Sequence, residues 1–131
     1  MRILLDTHIL IQWLADPSPL SPAQIHAIGQ AGPDNPMLLS DISLWEIATL
    51  HSLGRIALDR PLREWLTDAC SPPLVRCMRI TPAVAAEVGR LPESFPRDPA
   101  DRIIVSTTLL AGAVLLTNDS GIREAGVVDV L

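Results

Sequence analysis

The chain has 131 residues, 48% of them hydrophobic, which is enough for one domain with a real core and short for two. Its 15 acidic residues outnumber 10 basic ones for a net charge of −5, and every basic residue is arginine; this balance argues against a protein that coats nucleic acid through phosphate contacts, but not against a nuclease whose metal ions supply the positive charge. No apolar run approaches the roughly 18 residues that span a bilayer and no signal-peptide pattern opens the chain, while Cys70 and Cys77 lack metal-ligand spacing, so a cytoplasmic protein with two reduced thiols is expected.

Arg2 to Leu5 is a short apolar run ending at Asp6, as suits a strand buried on both faces of a parallel sheet. His8 to Ala15 places Ile9, Leu10, Trp13 and Leu14 at helical spacing, and Asp16-Pro17-Ser18-Pro19 stops it. Ser21-Pro22-Ala23-Gln24 opens a second helix, Pro22 to Gln30, with serine as cap and proline at the first position. A strand over Met37 to Ser40 and a helix over Ser43 to Ser52 follow, the latter closing near Gly54. Pro61 to Ala69 reads as helix, Leu74 to Ile80 as strand, and Thr81-Pro82 restarts a helix to about Arg90.

Leu91 to Arg97, with two prolines, reads as a loop. Asp98-Pro99-Ala100-Asp101 opens the clearest helix, whose Ile103, Ile104, Thr107, Leu110 and Ala111 share a face before Gly112 ends it. Val114 to Thr117 is a further buried strand, and a short helix from about Ser120 and a small strand from Val127 to Val130 complete the chain. Strand and helix alternate throughout, which specifies a single α/β domain over residues 1–131 with a five-stranded, mainly parallel sheet between helices.

In open parallel sheets functional groups gather beyond the carboxyl ends of the strands, at the point where strand order reverses. Asp6 and Asp119 follow strands directly, and Glu46 and Asp101 sit in first turns of helices that open on the same side. Four unpaired carboxylates held together repel, and several must protonate unless a cation joins them. Oxygen-only donors select a hard ion, Mg²⁺ or Mn²⁺, and such ions suit hydrolysis of a phosphodiester by an activated water.

Local structure offers competing accounts. Ser43-Leu44-Trp45-Glu46 has the spacing of a capping box in which Glu46 only returns to the backbone of Ser43. Asp98 suits a helix cap, Asp101 could simply favour the helix dipole, and Asp119 could cap the last helix. Asp6 resists such a reading, because a carboxylate ending an apolar strand needs solvent, a partner or a ligand. His26 and His51 suit helix surfaces, His8 borders the pocket, and Trp13 and Trp45 suit core or interface positions.

Together, Leu4-Leu5-Asp6-Thr7-His8, Ser43-Leu44-Trp45-Glu46-Ile47, Asp98-Pro99-Ala100-Asp101-Arg102-Ile103-Ile104-Val105 and Leu116-Thr117-Asn118-Asp119 resemble the PIN-domain family, especially the VapC-type toxins of bacterial toxin–antitoxin pairs. The resemblance spans residues 1–131 and implies a PIN-like three-layer sandwich and a Mg²⁺- or Mn²⁺-dependent endoribonuclease, commonly a homodimer neutralised by a cognate antitoxin. It implies further that Asp6, Glu46, Asp101 and Asp119 are the catalytic and metal-holding acids, with Asp98 as a further oxygen donor and Thr7 and Asn118 as auxiliary hydrogen-bonding neighbours. Without lysine, RNA phosphates would fall to arginines such as Arg55, Arg97, Arg102 or Arg123. A catalytically idle PIN domain that only binds a partner is the alternative. An aspartyl-nucleophile phosphatase of the haloacid dehalogenase type or a receiver-type domain would need a further aspartate and a lysine, and neither pattern is met.

Overall fold

The computed structural model describes residues 1–131. Its elements run β1 (Ile3–Leu5), α1 (Thr7–Ala15), α2 (Pro22–Gly29), β2 (Met37–Ser40), α3 (Asp41–Ser52), α4 (Leu62–Ala69), β3 (Val75–Met78), α5 (Pro82–Val88), α6 (Pro99–Ala111), β4 (Val114–Leu116) and α7 (Ser120–Ala125). The strands lie in the order β3-β2-β1-β4 with every pairing parallel, Leu5 opposite both Leu39 and Leu116. Strand order therefore reverses at β1, and the crevice between the carboxyl ends of β1 and β4 is where a site is expected.

Alternation along the strands divides the core in two. Ile3, Leu5, Met37, Leu39, Val75 and Leu116 meet Ile9 and Leu10 of α1, Ala27 and Ile28 of α2, Ile47 of α3 and Trp65 of α4 on one face. Leu4, Leu38 and Leu115 meet Leu91, Phe95, Ile104 and Val105 of the α5–α6 region and Ile122 of α7 on the other. The result is a three-layer sandwich, as the sequence suggests. Each core leucine that is fully buried contributes about 1.5–3 kcal/mol through removal of apolar surface from water.

Capping fixes where the helices begin. Ser21 and Gln24 form a reciprocal box at the start of α2, Asp98 caps α6 by accepting the Asp101 N–H, and Asp119 caps α7 by accepting the Ile122 N–H. Gly112 closes α6 at φ 60°, a left-handed conformation in which a side chain would be strained.

Three expectations are corrected. The sheet has four strands rather than five: the segment expected as a strand over Val127 to Val130 makes a single parallel bridge, Val130 with Leu115, in which the Leu115 N–H donates to the Asp129 carbonyl and the Leu115 carbonyl accepts the Leu131 N–H. β3 is shorter than Leu74 to Ile80, since its partner β2 ends at Ser40 opposite Met78 and leaves Arg79 and Ile80 nothing to pair with. α3 starts at Asp41, capped by Ser40, so Ser43 is already inside the helix and the Ser43–Glu46 capping box does not form.

Trp13 is partly buried against the first core cluster, whereas Trp45 is 61% exposed. His26 and His51 lie exposed on α2 and α3. No helix is long and apolar enough to cross a membrane.

Candidate active site

At the end of β1 the chain turns directly into α1, and Asp6 is the residue between them, 3% exposed. A buried carboxylate must have its oxygens satisfied. Oδ1 accepts the Thr7 N–H at 2.8 Å, which makes Asp6 the N-cap of α1, and Oδ2 accepts the Thr117 hydroxyl at 2.6 Å. Thr117 Oγ1 in turn accepts the Asp119 N–H at 3.0 Å. One hydroxyl thus joins the acids at the ends of β1 and β4.

A second relay runs to α3. The Thr7 hydroxyl donates to Glu46 Oε1, and Ser43 Oγ lies 2.8 Å from Thr7 Oγ1. A hydroxyl has one proton, so with Thr7 committed to Glu46 it is Ser43 that donates to Thr7. Ser43 is fully buried and Glu46 half-buried. The side chain that spacing left divided between capping and chemistry therefore points to Asp6's neighbour and not to its own helix end.

His8 and Asn118 close the rim. The Asn118 N–H donates to His8 Nε2 at 2.9 Å, so the imidazole proton lies on Nδ1, which faces Asp6 Oδ2 at 3.5 Å. Asn118 Oδ1 accepts from Gln24 Nε2 at 3.0 Å, and the same amide donates to the Leu131 carbonyl at 2.9 Å. Asn118 thus turns its side-chain oxygen toward α2.

The electrostatics join the four acids and Asp98. Asp101, in the first turn of α6, is pushed up from 3.8 to about 7, chiefly by burial and then by the negative charges of Asp98, Asp6, Asp119 and Glu46. Glu46 is raised by burial above all; the Thr7 hydrogen bond opposes this, and Asp6 and Asp98 add repulsion. Every charge acting on these two groups is an acid, and no arginine relieves them. That is the condition under which an added cation is most favourable.

The donor set fits a hard divalent ion. It is made of carboxylate oxygens with neutral hydroxyls behind them, and no three acidic, histidine or cysteine side chains close around a single point. A complete protein cage of the zinc kind is therefore not built here, whereas Mg²⁺ takes one or two carboxylates and keeps several waters. Asp6, Glu46, Asp101 and Asp119, with Asp98 beside them, are the residues that would hold it.

Thr117, Ser43 and Gln24 also take part in the site. Thr117 and Ser43 lie inside the segments that carry Asp119 and Glu46, and a hydroxyl two residues before Asp119 is the signal the sequence offers. Gln24, 94 residues from Asn118, had no signal beyond its place in a capping box.

The PIN domain description fits residues 3–128. Ribonuclease VapC22 of Mycobacterium tuberculosis is 40% identical over 122 residues, covering 93% of this chain and 90% of that protein. The fold is similar to the VapBC2 complex of Rickettsia felis bound to a promoter DNA fragment, with TM-score 0.72, 15% identity and coverage of 100% of this chain and 98% of that one. VapBC-1 of nontypeable Haemophilus influenzae matches with TM-score 0.72 and 19% identity over 100% and 97%. FitAcB of Neisseria gonorrhoeae matches with TM-score 0.62 and 23% identity over 98% and 96%.

Proposed function

The chain belongs to the PIN-domain family, and from that premise we propose that it is a Mg²⁺- or Mn²⁺-dependent endoribonuclease, the toxin of a VapBC-type toxin–antitoxin pair. The observation that carries the reading is the set of mutually repelling carboxylates at the β1–β4 crevice, with Asp101 raised to about 7 and no protein cation among them. Its relative in Mycobacterium tuberculosis is named a ribonuclease, which supports RNA as the substrate.

Within this proposal the ion, when bound, would lower the pKa of a water and neutralise charge on the phosphate. The chain's own residues do the positioning. Thr117 holds Asp6 and the backbone of Asp119 in one arrangement, and Thr7 and Ser43 hold Glu46 against it. Asp101 keeps a proton up to about pH 7 without a cation, so its ionisation is linked to loading of the site.

The proposal includes a cognate antitoxin, since the solved relatives are toxin–antitoxin complexes, and a cytoplasmic homodimer whose single domain spans residues 1–131. Apolar side chains exposed on helices, Trp45 and Leu53 at α3 and Leu109 and Leu110 on α6, are consistent with such partners.

Cleavage of single-stranded RNA should require Mg²⁺ or Mn²⁺ and stop in chelator. Asp6→Asn and Asp119→Asn should abolish it, and Asn at 119 keeps the cap oxygen that accepts the Ile122 N–H, so the fold survives. Undiminished cleavage in chelator would sink the metal mechanism. Light scattering of the purified protein tests the dimer.

A further inference from the structure

The acidic pocket can hold metal but repels the rest of a polyanionic substrate, so the flanking backbone needs cations placed outside it. An open groove of about 670 Å³ lies beside the α5–α6 loop, floored by Val88 and Leu91 and walled by Glu93, Ser94, Arg97 and Arg102. Two of its lining residues, Arg97 and Arg102, are the chain neighbours of Asp98 and Asp101. A side chain at Gly121 would meet Asp119 Oδ1 at 3.2 Å and Pro96 Cγ at 3.4 Å, so the loop carrying Pro96 and Arg97 packs against the very turn that presents Asp119.

Acids and arginines diverge from the same stretch of chain. Asp98 and Asp101, three residues apart, act on each other at the pocket. Arg102, one residue on and about 100° around the helix axis, lies on the groove wall. Its guanidinium is held in place: Nε donates to the Pro96 carbonyl at 2.9 Å, Nη2 donates to the Phe95 carbonyl at 3.0 Å, and the group stands 5.7 Å from the centre of the Phe95 ring. Two of five N–H groups are used, which leaves a fixed fork with donors to spare. Arg97 is exposed. Neither arginine is in an ion pair, unlike Arg60, held by Asp59 and Asp68, and Arg90, beside Glu87.

Resting on the ribonuclease reading above, we infer that this groove is a backbone subsite: Arg102 and Arg97 hold a phosphate of single-stranded RNA flanking the bond cut at the acidic pocket, with Ser94 as a neutral donor. Glu93 on the same wall opposes the anion and leaves the groove one net positive charge. Its presence limits affinity, as suits a chain that must release cleaved RNA.

The test is binding of a labelled single-stranded oligoribonucleotide, by fluorescence anisotropy over a range of salt, to the full chain carrying Asp119→Asn so that RNA is not cut. Arg97→Gln should raise Kd about 3- to 10-fold and reduce the slope of log K against log salt by about 0.7, the signature of one lost phosphate contact on a single strand. Glu93→Gln should tighten binding about 2- to 5-fold. Both side chains are exposed, so these variants keep the test independent of the folding role that Arg102 has through the Phe95 and Pro96 carbonyls. With Asp119 intact, Arg97→Gln should raise KM and leave kcat within about twofold. Arg63→Gln, on the outer side of α4, is the control and should change nothing.

If Arg97→Gln and Glu93→Gln match the control in Kd and salt slope while RNA is cleaved normally, the groove is not a subsite and the ribonuclease reading stands. If the unmodified chain neither binds nor cleaves RNA with Mg²⁺ or Mn²⁺, the ribonuclease reading fails and the subsite with it.

Discussion

Replacing Asp101 by asparagine should make the metal-free protein more stable. The folded chain holds this carboxyl at about 7 against 3.8 for the free group. Below about pH 3 Asp101 is neutral in both states and contributes no penalty. As pH rises the unfolded chain ionises first while the folded chain keeps its proton, so stability falls until about pH 7 and is level above it. Three pH units at about 1.4 kcal/mol each would give about 4 kcal/mol for a group sealed from water. Asp101 is only half-buried, and solvent screening reduces this to about 1–2 kcal/mol. Urea denaturation in chelator, at about pH 5 and about pH 8, measures it. At the higher pH Asp101→Asn should exceed the wild type by that amount, equivalent to about 4–8 °C in Tm, and the gap should shrink to about 40% of it at the lower pH. Millimolar Mg²⁺ should stabilise the wild type more than the variant, because only the wild type gains the ionised Asp101 carboxylate as a partner for the ion. A variant no more stable than wild type at the higher pH in chelator would refute the argument that burial, and repulsion from the neighbouring acids, penalise the ionised Asp101 in a pocket without a compensating cation.

At subsaturating Mg²⁺ the cleavage rate should climb between about pH 6 and pH 8 and move to lower pH when Mg²⁺ is raised, since metal and proton compete for Asp101; a pH profile indifferent to Mg²⁺ would contradict this. Thr117→Val leaves a buried Asp6 oxygen without its donor, so it should lose about 1–3 kcal/mol in denaturation and at least about tenfold in kcat, while Thr117→Ser restores both. Thr7→Val removes the donor to Glu46 and also orphans the buried Ser43 hydroxyl, so it should reduce cleavage and lose about 1–3 kcal/mol of metal-free stability, read by single-turnover assay and urea titration, while Thr7→Ser should restore both. Leu5→Ala, at the centre of the sheet, should cost about 2–5 kcal/mol by opening a cavity under α1, as calorimetry would show.

Much of the architecture follows from local features of the sequence. Apolar runs three or four residues long, separated by capped helices, fix an α/β alternation: Ser21 with Gln24, Asp98 before Pro99 and Gly112 after Ala111 each act within a turn or two of chain, and the structure has them where the spacing puts them. Asp6 was similarly legible, because an apolar strand that ends in a carboxylate carries its own question. The limits of β3 and the loss of a fifth strand were not legible, since a strand extends only as far as its partner does, and Ser40 and Leu115 are distant in sequence from the residues they limit.

The candidate site divides along the same line. Sequence alone placed Asp6, Glu46, Asp101 and Asp119 at element ends, and left Glu46 and Asp101 balanced between capping and chemistry. Tertiary structure removed the capping account of Glu46, because the helix starts at Asp41 and the glutamate is bonded to Thr7, 39 residues away. Asp101 keeps a place in the first turn of α6, yet its proton affinity is set by Asp6, Asp119, Glu46 and Asp98 across the crevice. Capping is a contact over three or four residues and can be read from spacing. Repulsion among carboxylates and the hydroxyl of Thr117 that spans Asp6 and Asp119 depend on distances that exist only after β1 and β4 lie side by side.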